Sequence, residues 1–360
     1  MIFQSIEFIL FLIISFLIYW TVCNRSKTLQ NLLIVLASLI FYLWCDWRYL
    51  ALLLTTALST FFIGLAIGKS NNKKRSKIFL IGAILLNLGV LFFFKYYNFF
   101  IEILIDTCSF FYGNANFNTI NILVPVGISF YTFTALSYVF DVYQDKVVST
   151  PDILAYLAYV MFFPSILSGP ISRAQTQLQQ FYVARKFDYD SSIRACKLFL
   201  WGCLMKLCLA DRLGIYVDSV YSNIGQHNGT TLLFTSILYS VQIYADFAGY
   251  SLMAIASGKL LGIELPINFK RPYFSKTITE FWRRWHISLT TWFRDYIYFP
   301  LGGNRCSQVR WIFNTLVVFI VSSLWHGAAY SFLMWGGIHG IAMVMERLIY
   351  GEKIREISAQ

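Results

Sequence analysis

Long apolar runs separated by short basic or aromatic stretches set the pattern of this chain. Runs at 2–22, 31–45, 49–68, 78–94 and 124–140, and again at 196–213, 232–261, 311–330 and 332–349, read as membrane segments. A helix of about 20 residues crosses ~30 Å of hydrocarbon, and most of these runs approach that length. The short alternating segments of a β-barrel are not visible. Three stretches depart from the pattern. Residues 153–171 carry Pro164, Gly169 and Pro170; broken backbone at membrane depth survives only against protein or a water-lined cavity, so this segment is expected to be re-entrant or tightly packed. Residues 175–194 are polar and basic, which predicts a cytoplasmic surface helix. Residues 275–300 hold Glu280, Arg283, Arg284, Arg294 and Asp295, too many charges to span lipid. Trp285, Leu289, Trp292 and Tyr296 form one stripe at helical spacing and Arg283, Ile287, Thr290 and Arg294 another, which predicts an amphipathic helix. The expectation is an all-α polytopic protein with roughly nine to eleven membrane segments. Without an internal repeat or a soluble domain, one transmembrane domain over 1–360 is expected.

Composition agrees with this pattern. The chain is 58% hydrophobic and only 13% charged, where soluble domains are nearer a quarter charged. The net charge of +11 sits mostly in bases at the ends of apolar runs, as the positive-inside rule expects, and no nucleic-acid module is visible. The bases at 25–27 and 69–77 agree on an extracytoplasmic N-terminus. The polar stretch 112–118 then falls outside the cell membrane. Seven cysteines form no CxxC pair and mostly lie in apolar runs, where they act as small hydrophobes. The first run lacks a basic flank and a cleavage site, so it reads as a retained span.

The candidate chemistry lies between residues 280 and 339. His326 stands in an apolar segment, and an ionisable group at membrane depth is a functional candidate by default. A neutral imidazole there can take a proton from a hydroxyl as it attacks a thioester. His286 on the amphipathic segment is placed to reach the same cavity. His339 reads as a packing residue and His227, beside Asn228-Gly229, as loop surface. No HExxH or comparable ligand spacing supports a metal. A P-loop and a GxSxG elbow are also missing from the sequence. Asp246, inside an apolar run, is expected to pair with an arginine such as Arg283 or Arg294.

FWRRWHISLTTWFRDYIYFPLGGNR at 281–305 and LWHGAAYSFLMWGGIHG at 324–340 resemble the membrane-bound O-acyltransferase (MBOAT) family, nearest its alginate O-acetyltransferase branch. The D-alanyl transferase of teichoic acid synthesis is a cousin. FFPSILSGPISR at 162–173, QIYADFAGYS at 242–251 and LGIELPINFKRPY at 261–273 extend the likeness. The resemblance implies a ring of membrane helices with re-entrant segments around a central tunnel, in a bacterial inner membrane. It implies His326 as the essential histidine and His286 as the second motif histidine. Arg283, Arg284, Trp285, Arg294, Asp295 and Asn304 would shape the site, with Trp325 and Asp246 also along the tunnel. It implies no resident cofactor. A cytoplasmic acyl thioester, acetyl-CoA or a carrier-bound form, would serve as donor. A polysaccharide hydroxyl would be the acceptor, reached directly or through periplasmic partner proteins. The chain departs from the family at Leu252, where an acidic residue often follows GYS, and it is expected to be short at its C-terminus. A transporter or flippase for an envelope precursor, or an inactive scaffold of an acetylation complex, are the alternative readings.

Overall fold

The computed structural model describes residues 1–112 and 122–351; most of the polar stretch 112–118 and of the 351–360 tail lie outside the described residues. The chain is built of helices α1 (Ile6–Thr21), α2 (Lys27–Asp46), α3 (Leu50–Gly68), α4 (Lys73–Tyr112), α5 (Ile128–Tyr143), α6 (Ile153–Val160), α7 (Phe163–Ile166), α8 (Ala174–Gln177), α9 (Tyr189–Cys203), α10 (Asp211–Tyr221), α11 (Gly229–Leu260), α12 (Ile278–Arg284), α13 (Ile287–Phe293), α14 (Gln308–His326) and α15 (Tyr330–Tyr350). No strand occurs among the described residues. Helix starts follow local chemistry: Ser26, Asp152, Asp188 and Asn228 each cap a helix by accepting a backbone N–H three residues on.

Lys27–Gly68, Lys73–Phe111, Gln308–His326 and Tyr330–Tyr350 are long and apolar enough to cross a membrane, and Ile6–Thr21 is a shorter apolar helix. This is a multi-pass membrane protein. Helix α4 runs 40 residues, well past the predicted end at 94. The charges Lys95, Glu102 and Asp106 suggest an end to the membrane run, but no proline or glycine lies between 95 and 112 to stop the helix itself.

The chain divides into two compact units. The first comprises Met1–Leu50 and Asp152–Asn268. Here the 153–171 segment is packed, as expected: Phe162 and Phe163 are fully buried, and the Phe163 N–H bonds Ser38 Oγ at 3.1 Å. The Phe163 ring lies 5.2 Å from Phe11 and 5.8 Å from Phe41. The surface helix predicted at 175–194 is interrupted: helical turns end at Phe181 and α9 begins at Tyr189. Between them Arg185 is buried, its Nε donating to the Tyr19 hydroxyl at 2.6 Å and its Nη1 to Asn31 Oδ1 at 2.9 Å. Gln30 takes both Arg185 backbone groups, at 2.9 and 3.0 Å, which a helix would otherwise use. Helices α9 and α11 touch at Gly202 and Gly249; a Cβ on either would stand 2.7–2.8 Å from the other's carbonyl oxygen. Glycine at such a crossing lets two backbones meet.

The second unit comprises Ala51–Pro151 and Phe269–Gln360 and holds α3–α5 and α12–α15. Helix α5 begins at Gly127, whose φ of +76° is a left-handed conformation suited to glycine. Of the predicted stripe in the 275–300 segment, Trp292 and Tyr296 pack on α5. Trp292 stacks on Phe133 at 4.0 Å and donates its indole N–H to the Phe133 carbonyl at 3.1 Å. Tyr296 donates to the buried Asp141 at 2.8 Å.

Candidate functional site

The segment predicted as one amphipathic helix is broken in the middle, and the break places His286. Helix α12 starts from a capping box: Thr277 Oγ1 accepts the Glu280 N–H at 3.0 Å, and the Glu280 carboxylate accepts the Lys276 N–H at 2.8 Å. Glu280 also pairs with Arg284 one turn on. From α15, the Glu346 carboxylate accepts the N–H groups of Ile278 and Thr279 at 2.6 and 2.9 Å and the Thr279 hydroxyl at 2.6 Å. A carboxylate suits the positive end of a helix. Seven residues later Trp285 is extended and His286 adopts the left-handed φ of +41°. That conformation costs a non-glycine residue about 1–3 kcal/mol. Helix α13 then starts in a new direction, followed by a π-helical turn at Arg294–Tyr298. No proline or glycine marks the break, so periodicity alone runs straight through it.

His286 is 2% exposed and its ring centroid lies 6.4 Å from that of His326, the last residue of α14. Burial pushes the His286 imidazole well below its ordinary value, and the neighbouring His326 ring adds to the effect. His286 therefore stays neutral near neutral pH. Trp325 packs edge-on against both histidines, at 5.7 Å from His286 and 5.0 Å from His326. His339 joins the same group: His326 meets Trp335 at 5.1 Å, Trp335 meets His339 at 5.0 Å, and His339 meets Trp282 at 5.1 Å. Its packing role is thus packing around the histidine pair.

Both His286 and His326 line a cavity of about 620 Å³. Arg283, Arg294 and Asn304 line it too, with Trp282, Tyr298, Ser322 and Arg347. The cavity is basic in lining and aromatic in wall. Arg294 is partly neutralised by Asp295, whose carboxylate accepts from its Nε at 2.7 Å. Arg347 lies 4.3 Å from the Trp311 ring centroid. Three residues predicted for the site have other surroundings. Arg284 serves the α12 ion pair, and Trp285 packs among Phe269, Tyr273 and Phe281 at 5.0–6.0 Å. Asp246, read as the partner of an arginine such as Arg283 or Arg294, finds its cation within the first unit. Lys206 lies 2.6 Å from Asp246 and 2.6 Å from Asp211. Lys206 stands on the π-helical turn Leu204–Ala210, inside the apolar run 196–213.

Sequence reasoning missed Trp282, Glu346 and Arg347, and also Lys95. A lone lysine within an apolar run is itself a signal by the membrane-cost criterion. Its place directly after the 78–94 run hides that signal.

Fold and site together define a helical membrane protein with a histidine-lined cavity among its helices. The profile of the MBOAT family (membrane-bound O-acyltransferase) matches residues 39–352, and the chain belongs to that family. It is 38% identical to the probable alginate O-acetylase AlgI of Pseudomonas aeruginosa over 97% of this chain and 66% of that one. It is 32% identical to the peptidoglycan O-acetyltransferase of Helicobacter pylori, over 94% of this chain and 68% of that one. Similarity to the teichoic acid D-alanyltransferase of Streptococcus thermophilus is 31% identity over 63% of this chain and 58% of that one. The chain spans about two thirds of the length of the first two relatives.

Proposed function

We propose that this chain is a membrane O-acyltransferase, in its simplest form an O-acetyltransferase, that transfers an acyl group from a thioester to a polysaccharide hydroxyl. The observation that carries the reading is the pair His286 and His326, 6.4 Å apart across one cavity with Arg283, Arg294 and Asn304 in its wall. The names of the relatives, alginate and peptidoglycan O-acetylases, support an envelope glycan as acceptor.

In the proposed step the acceptor hydroxyl oxygen attacks the thioester carbonyl carbon while His326 takes the hydroxyl proton. The tetrahedral intermediate collapses, the carbon–sulfur bond breaks, and the imidazolium returns its proton to the departing thiolate. His286 holds its neutral form in the same void, and the guanidinium groups of Arg283 and Arg294 offset the negative charge that develops on the carbonyl oxygen. The donor is a cytoplasmic acyl thioester, acetyl-CoA or a carrier-bound thioester, consumed as substrate rather than held as a cofactor. The acceptor lies on the outer side of a bacterial inner membrane, reached directly or through periplasmic acetyltransferase partners. The N-terminus is extracytoplasmic, and a tunnel joins the two faces to the histidines.

Purified protein in detergent, supplied with acetyl-CoA and an acceptor oligosaccharide, tests this. Thioester consumption should be lost, by at least about 100-fold, in a folded His326→Ala variant. Equal consumption by the variant and the parent protein refutes the assignment of the base.

A further inference from the structure

Two side chains of α4 end on the last turn of α14, and the acyl-transfer step uses neither. A helix leaves its final carbonyls without intrahelical donors. Helix α14 stops at His326 because Gly327 is extended, with the Gly327 N–H still reaching the Ser323 carbonyl at 3.3 Å. The next two carbonyls are taken from outside the helix. Tyr96 donates its hydroxyl to the Leu324 oxygen, and Lys95 donates its ammonium to the Trp325 oxygen. Lys95 Nζ also lies 5.5 Å from the Trp325 ring centroid and 3.4 Å from Ser129 Oγ.

Lys95 pairs with no carboxylate among the described residues. A partly buried cation needs a counterpart charge or dipole. Its counterpart here is the partial negative charge of a helix C-terminus, the end at which a cation is stabilising. That end carries His326. The peptide carbonyl Lys95 holds is the one that links Trp325 to His326, and the Trp325 ring beside it touches both histidines. Beyond His326 the backbone leaves the helix at once, so the last turn has no following turn to brace it.

We propose that Lys95 and Tyr96 are positioning residues for His326: together they clamp the end of α14 so that the imidazole meets the cavity in one orientation. Lys95 supplies a charge to the helix end as well as a hydrogen bond, which Tyr96 does not. The clamp's effect on turnover rests on the acyl-transfer reading, but its effect on the helix end does not.

Hydrogen exchange read by mass spectrometry on the full chain in detergent tests the clamp directly, with Lys95→Met, Lys95→Arg and Tyr96→Phe variants. Lys95→Met should speed amide exchange in the turn ending at His326 by about fivefold or more, the loss of one hydrogen bond, with the rest of α14 unchanged. Lys95→Arg should bring the rate back close to that of the parent. Tyr96→Phe should give a smaller local increase, and it carries the test if Lys95→Met fails to fold. In turnover, Lys95→Met should lower kcat about tenfold with the donor KM unchanged. Unaltered exchange at the helix end in Lys95→Met and Tyr96→Phe overturns the clamp. So does acceleration along all of α14 that Lys95→Arg fails to reverse. A parent protein that consumes no thioester refutes the acyl-transfer reading alone, and the exchange rates still decide the clamp.

Discussion

His286 combines two costs that a protein normally avoids in one residue: a left-handed backbone and a buried imidazole. The sign of its pH effect follows from burial. Folding holds its pKa well below the ordinary value of about 6.5. Above that value both folded and unfolded chains carry a neutral ring, and the residue makes no pH-dependent contribution. As pH falls below it, the unfolded chain takes up a proton that the folded chain refuses, and stability drops. Thermal unfolding in detergent should therefore show a fall in Tm between about pH 6.5 and 5. His286→Asn should flatten that slope, since asparagine tolerates the left-handed backbone and does not titrate. Identical slopes in both proteins would remove His286 as the cause. His326 was readable because an imidazole in an apolar run is rare, and His286 and Trp325 through the family resemblance of the motifs that carry them. Lys95 and Glu346 were not, because their partners are backbone groups on remote helices, which no local pattern names.

At the scale of elements, the break between α12 and α13 decides the geometry of the site. Of the predicted stripe Trp285, Leu289, Trp292 and Tyr296, the last three were correctly legible and are buried, while Trp285 leaves it at the break. The break at 285–286 was not, since a left-handed histidine leaves no mark on periodicity. What holds α12 in place is the Glu346 carboxylate at its N-terminus. Glu346→Ala should cost about 1–2 kcal/mol, as the loss of a cap with its charge does. It should also speed hydrogen exchange in α12 rather than in α14. A loss confined to α14 would show that Glu346 does not anchor α12. The 40-residue α4 teaches a related lesson: charges end a membrane run, but only backbone chemistry ends a helix.

For the molecule as a whole, fold class was open to reading because long apolar runs leave little alternative to helices in lipid. The arrangement of Arg185 was hidden, since a basic stretch ordinarily faces water, whereas here Tyr19, Gln30 and Asn31 draw it inward. The first unit depends on the α9–α11 contact, where two glycines meet. Gly249→Val should destabilise it by about 1–3 kcal/mol through overpacking, and a neutral effect on Tm would mean that the crossing is loose. Orientation is testable through the basic stretch at 69–77. A cysteine placed at the exposed Asn71 should react with an impermeant thiol reagent only from the cytoplasmic side, and labelling from outside would invert the topology.

The central claim concerns one imidazole, and the ester content of the envelope glycan tests it in the cell. In cells lacking the endogenous protein, the intact parent protein should restore O-acetyl groups, while His326→Ala, present in the membrane at the same level, should restore none. Full restoration by His326→Ala would contradict the account.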